Sequence, residues 1–218
     1  MSEKNFDIYL EFDYSKLNIA AFSKFNHKLE YYKQQSYDSY FNNDKELKFD
    51  ELHELVEDNI LEIEKTTTEF VKEIFLMIET PQSYSIKLSV MKNNEGKKII
   101  KQDAMYLIQD AKQQLLKLNN DVAIIHIIVE NYVLDNVEYK FLPLDINCKK
   151  FSADIKFICF PKDLIKNFEK LFLKQQIFIN KFICSKYVKT FDFKNIEKNI
   201  CQRGKDIVEG INKQEVVS

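Results

Sequence analysis

Between Ile99 and Asn136 the apolar pattern switches from a helical period to a strand, with no glycine or proline to break the chain between them. In IIKQDAMYLIQDAKQQLLKL, residues Ala104, Leu107, Ile108, Ala111, Leu115 and Leu118 recur every three or four positions, which is one face of an amphipathic helix. The segment VAIIHIIVENYVLDN that follows is too apolar and β-branched for a surface loop and predicts a strand ending in an acidic turn. A helix with one apolar stripe, next to a strand this apolar, must pack as layers, so all-helical bundles and purely β architectures are excluded.

The flanking sequence repeats this alternation. Ile8, Leu10 and Phe12 alternate with Asp7, Tyr9, Glu11 and Asp13, which predicts a strand with one polar face. Leu17–Phe22 and Leu29–Lys33 complete a three-stranded meander, and Phe41–Lys48 reads as a polar loop. A helix is predicted from near Asp50, a plausible N-cap, with Leu52, Leu55, Val56, Ile60 and Ile63 buried. Glu69–Glu79 and Tyr84–Met91 read as strands and Lys92–Lys98 as a turn around Gly96; Glu138–Lys150 reads as a loop containing Pro143. Phe151–Phe160 is a strand, and Pro161 stands where a helix would begin, with Leu164, Ile165, Phe168, Leu171 and Phe172 as its apolar face. Ile177–Cys184 is a last strand. Ile196, Ile200, Ile207, Val208 and Ile211 suggest a weak helix interrupted by Gly204 and Gly210. The fold class expected is α/β (α+β).

Composition narrows the function. Hydrophobic residues are 45% and charged residues 30% of the chain, as in a globular domain. Glycine and proline number 3 each, which removes most Gly-rich phosphate loops. The charges sum to 32 − 34 = −2, both signs are interspersed, and Arg203 is the sole arginine. A nucleic-acid partner, which calls for a basic face and bidentate arginines, is not expected. Cys148, Cys159, Cys184 and Cys201 form no Cys-x-x-Cys pair, and the charged start MSEKNFDIYLEFD runs straight into a strand. Reduced, mostly buried thiols and no secretory signal are expected. No apolar run approaches the roughly 20 residues that span a bilayer.

Few residues suggest chemistry. The turn Asp13-Tyr14-Ser15-Lys16 reads either as an ordinary hairpin or as a degenerate phosphate-binding hairpin of the Asp-x-Gly-Ser/Thr type, with Tyr14 where glycine belongs. His27, His53 and His126 match no metal spacing, and His126 lies inside the apolar strand. Glu51/Glu54 and Glu57/Asp58 read as the solvated face of a helix. The run Phe157, Phe160, Phe168, Phe172, Phe178 and Phe182 reads as core rather than a binding surface. No hydrolase elbow, P-loop or kinase set is present, and the chain is not expected to be an enzyme.

Taken in order, residues 6–190 resemble the N-terminal half of the actin-like bacterial cell-division protein FtsA. DIYLEFDYSKLNIAAF looks like that family's first hairpin and FDELHELVEDNILEIEK its first helix. EIFLMIETPQSYSIKLS sits where the strand leads into the family's extra subdomain. IIKQDAMYLIQDAK is similar to that subdomain's helix start, with Lys101 in place of the capping Thr. In IIHIIVENYVLDN, residues His126, Tyr132, Val133 and Asp135 resemble a family string, with Val129 for its proline, and FSADIKFICFPKDLIKNFEKLFLKQQIFINKFI resembles the closing strand–helix–strand.

The resemblance implies a partial actin-like (ribonuclease H-like) lobe over residues 1–80 and 175–192. It also implies an inserted strand–helix–strand–strand subdomain over 81–174 and a tail over 193–218. Its implied role is contact with other divisome proteins and with itself, with FtsZ as a partner only if a second lobe exists. The implied place is the cytoplasm, with recruitment to the inner membrane at the division site. Asp13, Ser15 and Lys16 would be the remnant of a nucleotide site. Nothing after Cys184 resembles the second phosphate hairpin, so the expectation is no cofactor. ATP is expected only under the alternative of a nucleotide-binding actin-like ATPase (FtsA or PilM type) whose second lobe lies beyond this chain.

Overall fold

The structure, a computed structural model, describes residues 5–37, 48–193 and 197–216. Most of the loop expected over 41–48 lies outside these residues, as does Ile196. The chain divides into two compact units, Met1–Ser83 with Asp163–Glu209, and Tyr84–Lys162 with Gly210–Ser218.

The first unit is built on five strands in the order β3-β2-β1-β4-β9. β1 (Phe6–Phe12), β2 (Lys16–Ser23) and β3 (Leu29–Ser36) form the antiparallel meander, and β4 (Glu73–Ile78) and β9 (Phe178–Cys184) add in parallel beside β1. Among the described residues, this unit holds α1 (Phe49–Thr67), α3 (Lys162–Leu173), α4 (Ser185–Thr190) and α5 (Ile200–Val208). Phe168 of α3 meets Phe12 of β1 at 5.6 Å and Phe49 of α1 at 5.3 Å between ring centroids, which places α1 and α3 over one face. The other face carries Tyr9, Glu11 and Met77, and α4 and α5 pack there. Ile8–Phe12 is therefore buried on both faces. The polar members of the alternation in β1 are covered as well: two helices lie over Tyr9 and Glu11, and Glu11 is only 1% exposed.

The second unit is an antiparallel sheet, β5-β8-β6-β7. It comprises β5 (Tyr84–Asn93), β6 (Val122–Leu134), β7 (Val137–Tyr139) and β8 (Lys150–Pro161), with α2 (Lys101–Leu118) packed on β5 and β8. The predicted stripe Ala104, Leu107, Ile108, Ala111 and Leu115 is the buried face of α2, against Phe151, Ala153, Ile155 and Phe157. Leu118 is the exception, at 80% exposure. Ile100, not Lys101, occupies the N-cap; it offers no side-chain cap, and its own N–H donates to Asp103 Oδ2 at 2.9 Å.

The expected α/β class is the architecture seen, with a five-stranded and a four-stranded sheet. Several local readings change. α1 starts at Phe49 after Lys48, so Asp50 lies in the first turn rather than at the cap. The loop expected over Glu138–Lys150 overlaps β7, which forms because Asp135 and Asn136 take φ of 45° and 73° and close a tight hairpin. α3 belongs to the first unit from Asp163 onward, because Phe168 is held in that unit's core; the sequence reading had closed the insert with it. Gly204 does not interrupt α5. A Cβ there would stand 2.3 Å from Met77 Sδ, so glycine is what lets the helix lie this close to β4. Asn199 and Gln202 close a capping box at its start, and Gly210, at φ 79°, follows its end. Residues 214–216 then run along β6: Val129 N–H donates to Gln214 O at 2.9 Å and Val216 N–H to Ile127 O at 2.8 Å.

Candidate functional site

The C-terminal ends of the parallel strands bring together four charged side chains. Glu11 comes from β1, Asp13 from the hairpin after it, Glu79 from the residue after β4, and Lys189 from α4. Lys189 Nζ donates to Asp13 Oδ2 at 2.8 Å and to Glu79 Oε2 at 2.5 Å, and lies 3.3 Å from Glu11 Oε1. Glu11 is anchored from its other side. Asn18 Nδ2 donates to Glu11 Oε2 at 2.7 Å, while the Tyr32 hydroxyl and Gln34 Nε2 each donate to Asn18 Oδ1 at 2.8 Å. The network crosses β1, β2 and β3 because Glu11 opposes Asn18 and Asn18 opposes Gln34 in the ladder.

The electrostatics follow from burial and partners. Burial pushes the Glu11 carboxyl above the usual carboxylate range, against the pull of Lys189 and Asn18. Burial also acts to raise Asp13, but the Lys189 ammonium and the N–H groups of Ser15 and Tyr14 outweigh it and hold the carboxyl below its usual value. For Lys189, burial works against the charge, yet Asp13, Glu79 and Glu11 keep the ammonium well above the ordinary lysine range.

The hairpin itself is self-satisfied. Asp13 N–H donates to Lys16 O at 2.9 Å, Ser15 N–H donates to Asp13 Oδ1 at 3.2 Å, and the Tyr37 hydroxyl donates to Asp13 O. The Asp13 carboxylate thus accepts the Ser15 N–H of its own hairpin and pairs with the Lys189 ammonium. Tyr14, Ser15 and Lys16 are exposed. Of the three residues singled out from the turn, only Asp13 enters the charged cluster with its side chain, and Lys16 contributes a backbone carbonyl. With three carboxylates around it, this donor set suits a cation and repels a phosphate. Carboxylate oxygens of Glu11, Asp13 and Glu79 lie within 4.8 Å of one another, the spacing of a metal site, but Lys189 already holds all three.

His126 is buried in β6, and its Nδ1 lies 2.7 Å from Glu215 Oε1 of the C-terminal segment. Phe157, Phe160, Phe168 and Phe172 are core, as read, whereas Phe178 is 62% exposed. All four cysteines are free and buried. No helix among the described residues is long and apolar enough to cross a membrane. Sequence reasoning missed Glu11, Glu79 and Lys189. The one available signal was the pair of polar residues, Glu11 and Asn18, facing each other in otherwise apolar strands.

No family model and no curated protein matches the chain. Solved structures do. The PilM–PilN type IV pilus biogenesis complex superposes with a TM-score of 0.53 at 8% identity, over 84% of this chain and 48% of that one. The cytoplasmic domain of EpsL, an inner membrane component of the Vibrio cholerae type II secretion system, matches at TM-score 0.38 and 11% identity, over 87% of this chain and 59% of that one. A Bacteroides thetaiotaomicron protein with an actin-like ATPase fold and unknown function matches at 0.36 and 9%, over 85% and 54%. The chain spans about half the length of the solved structures it matches. At these identities the likeness is one of fold.

Proposed function

We propose that this chain is a non-catalytic actin-like protein that acts by protein–protein contact, as an FtsA-like cell-division component whose inserted unit, Tyr84–Lys162, is the contact surface. The observation that carries the non-catalytic reading is the closed charge cluster. Lys189 and Asp13 supply from within the chain the cation and the anion that a nucleotide complex would bring. The divisome assignment rests on the ordered resemblance through residues 6–190, with other divisome proteins and a second copy of the chain as partners. The cytoplasmic face of the inner membrane at the division site is the place that goes with it. A pull-down with the tagged chain from dividing cells tests this: recovery of divisome proteins or of untagged chain is expected, and contact with neither contradicts it.

A second reading, a nucleotide-binding actin-like ATPase of the PilM type, is favoured by the likeness to the PilM–PilN complex. It calls for a second lobe beyond this chain and for micromolar affinity for ATP, with Asp13, Ser15 and Lys16 at the phosphates.

A further inference from the structure

At the opposite end of the five-stranded sheet, where β4 and β9 begin, lies a groove of about 710 Å³ in the first unit. Its walls are large apolar side chains left open to solvent: Leu61 of α1 (47% exposed), Phe70 before β4 (82%), Leu173 at the end of α3 (57%) and Phe178 of β9 (62%). Four such groups around one concavity are not the scattered apolar exposure of an ordinary surface. Gln175 also lines the groove, and both its amide atoms are buried without a hydrogen-bond partner, which is unfavourable. The charges at the groove are two carboxylates, Glu57 and Glu64, and one ammonium, Lys72. Beside it β9 pairs with β4 on one side only, among the described residues.

We infer that this groove docks an extended segment of a partner protein in which apolar and basic residues alternate. The apolar positions would cover Leu61, Phe70 and Phe178, and the basic ones would meet Glu57 and Glu64. One peptide group of the segment would give Gln175 the donor and acceptor it lacks, once its side chain turns outward, beside the free edge of β9. An anionic amphiphile would face the same two carboxylates and is disfavoured.

The probe is a fluorescein-labelled octapeptide of alternating leucine and lysine, with a leucine–glutamate octapeptide as control, read by fluorescence anisotropy on the full chain. The lysine peptide is expected to bind and the glutamate peptide not. Phe70→Ser and Leu61→Glu are expected to raise Kd about tenfold or more, a loss of about 1.4 kcal/mol. Phe25→Glu, which adds the same charge at an exposed position of the turn between β2 and β3, outside the groove, is expected to leave it unchanged. Gln175→Met should weaken binding while raising Tm by about 2–4 °C, because it removes a buried unpaired amide. No binding, equal binding of both peptides, or an equal loss with Phe25→Glu overturns the inference. That failure stays distinct from a failure of the non-catalytic reading, which is measured with ATP at the other end of the sheet.

Discussion

At the scale of single residues, Lys189 is the keystone of the charged cluster: one ammonium within 3.3 Å of three carboxylates, one of them fully buried. Lys189→Met leaves Glu11, Asp13 and Glu79 facing one another; the ammonium is a third exposed and only Glu11 is fully buried, so the loss is about 1–3 kcal/mol, below that of a fully buried pair. The sign of the pH dependence follows from the carboxyl shifts. Asp13, held low, contributes stability that is present above its unfolded value near 3.8 and is lost as pH falls through its folded value. Glu11, held high, works the other way: its share is present below about 4.5 and is lost as pH rises through its folded value. Without Lys189, Glu11 moves higher still and Asp13 loses its main support. The stability gap between the parent chain and Lys189→Met is therefore expected to be wide at pH 7 and narrow at pH 4. Urea unfolding at the two pH values measures it, and a gap that is constant or widens on acidification contradicts this role for Lys189.

At the scale of elements, two packing solutions are open to test. α5 approaches β4 only because residue 204 has no Cβ. In an isolated helix Gly204→Ala would gain about 1 kcal/mol, but here the methyl meets buried Met77, and overpacking costs about 1–3 kcal/mol. Gly204→Ala is expected to destabilise the parent and to stabilise a Met77→Ala background, a reversal of sign that a double-mutant cycle by thermal unfolding would read. The C-terminal segment is held to β6 by backbone bonds and by the buried His126–Glu215 pair. Glu215→Ala should cost about 3 kcal/mol or more, whereas replacing both partners together, as His126→Leu with Glu215→Leu, should recover most of the loss. Denaturant midpoints of the three variants decide this, and a double variant as unstable as the single one counts against the pair. These elements also show what was legible from sequence. A period of 3.6 placed α2 and a period of 2 placed β8, while β6 was legible as an apolar, β-branched run. β7, three residues of φ-driven hairpin, and α4, six residues without a stripe, offered no period to read.

At the scale of the whole molecule, the strand order β3-β2-β1-β4-β9 makes a five-stranded lobe, and the four-stranded sheet lies in a second unit inserted in its sequence. The meander β1-β2-β3 could be anticipated, because its strands announce themselves locally and its connections are short, whereas β4 and β9 pair across the whole second unit in sequence. The charged cluster could not, because Lys189 meets Asp13 across 176 residues and Glu79 across 110, and no local pattern marks such a meeting. The turn Asp13–Lys16 drew attention for its sequence, yet its own N–H groups bind its own carboxylate, and the charges that decide its chemistry arrive from elsewhere. Whether this lobe has given up nucleotide is the central question, and calorimetric titration of MgATP into the chain asks it most directly. No heat of binding up to millimolar nucleotide is expected, for the parent chain and for Asp13→Asn alike. A micromolar Kd in the parent chain, lost in Asp13→Asn, would contradict the non-catalytic reading and establish the hairpin as a working phosphate site.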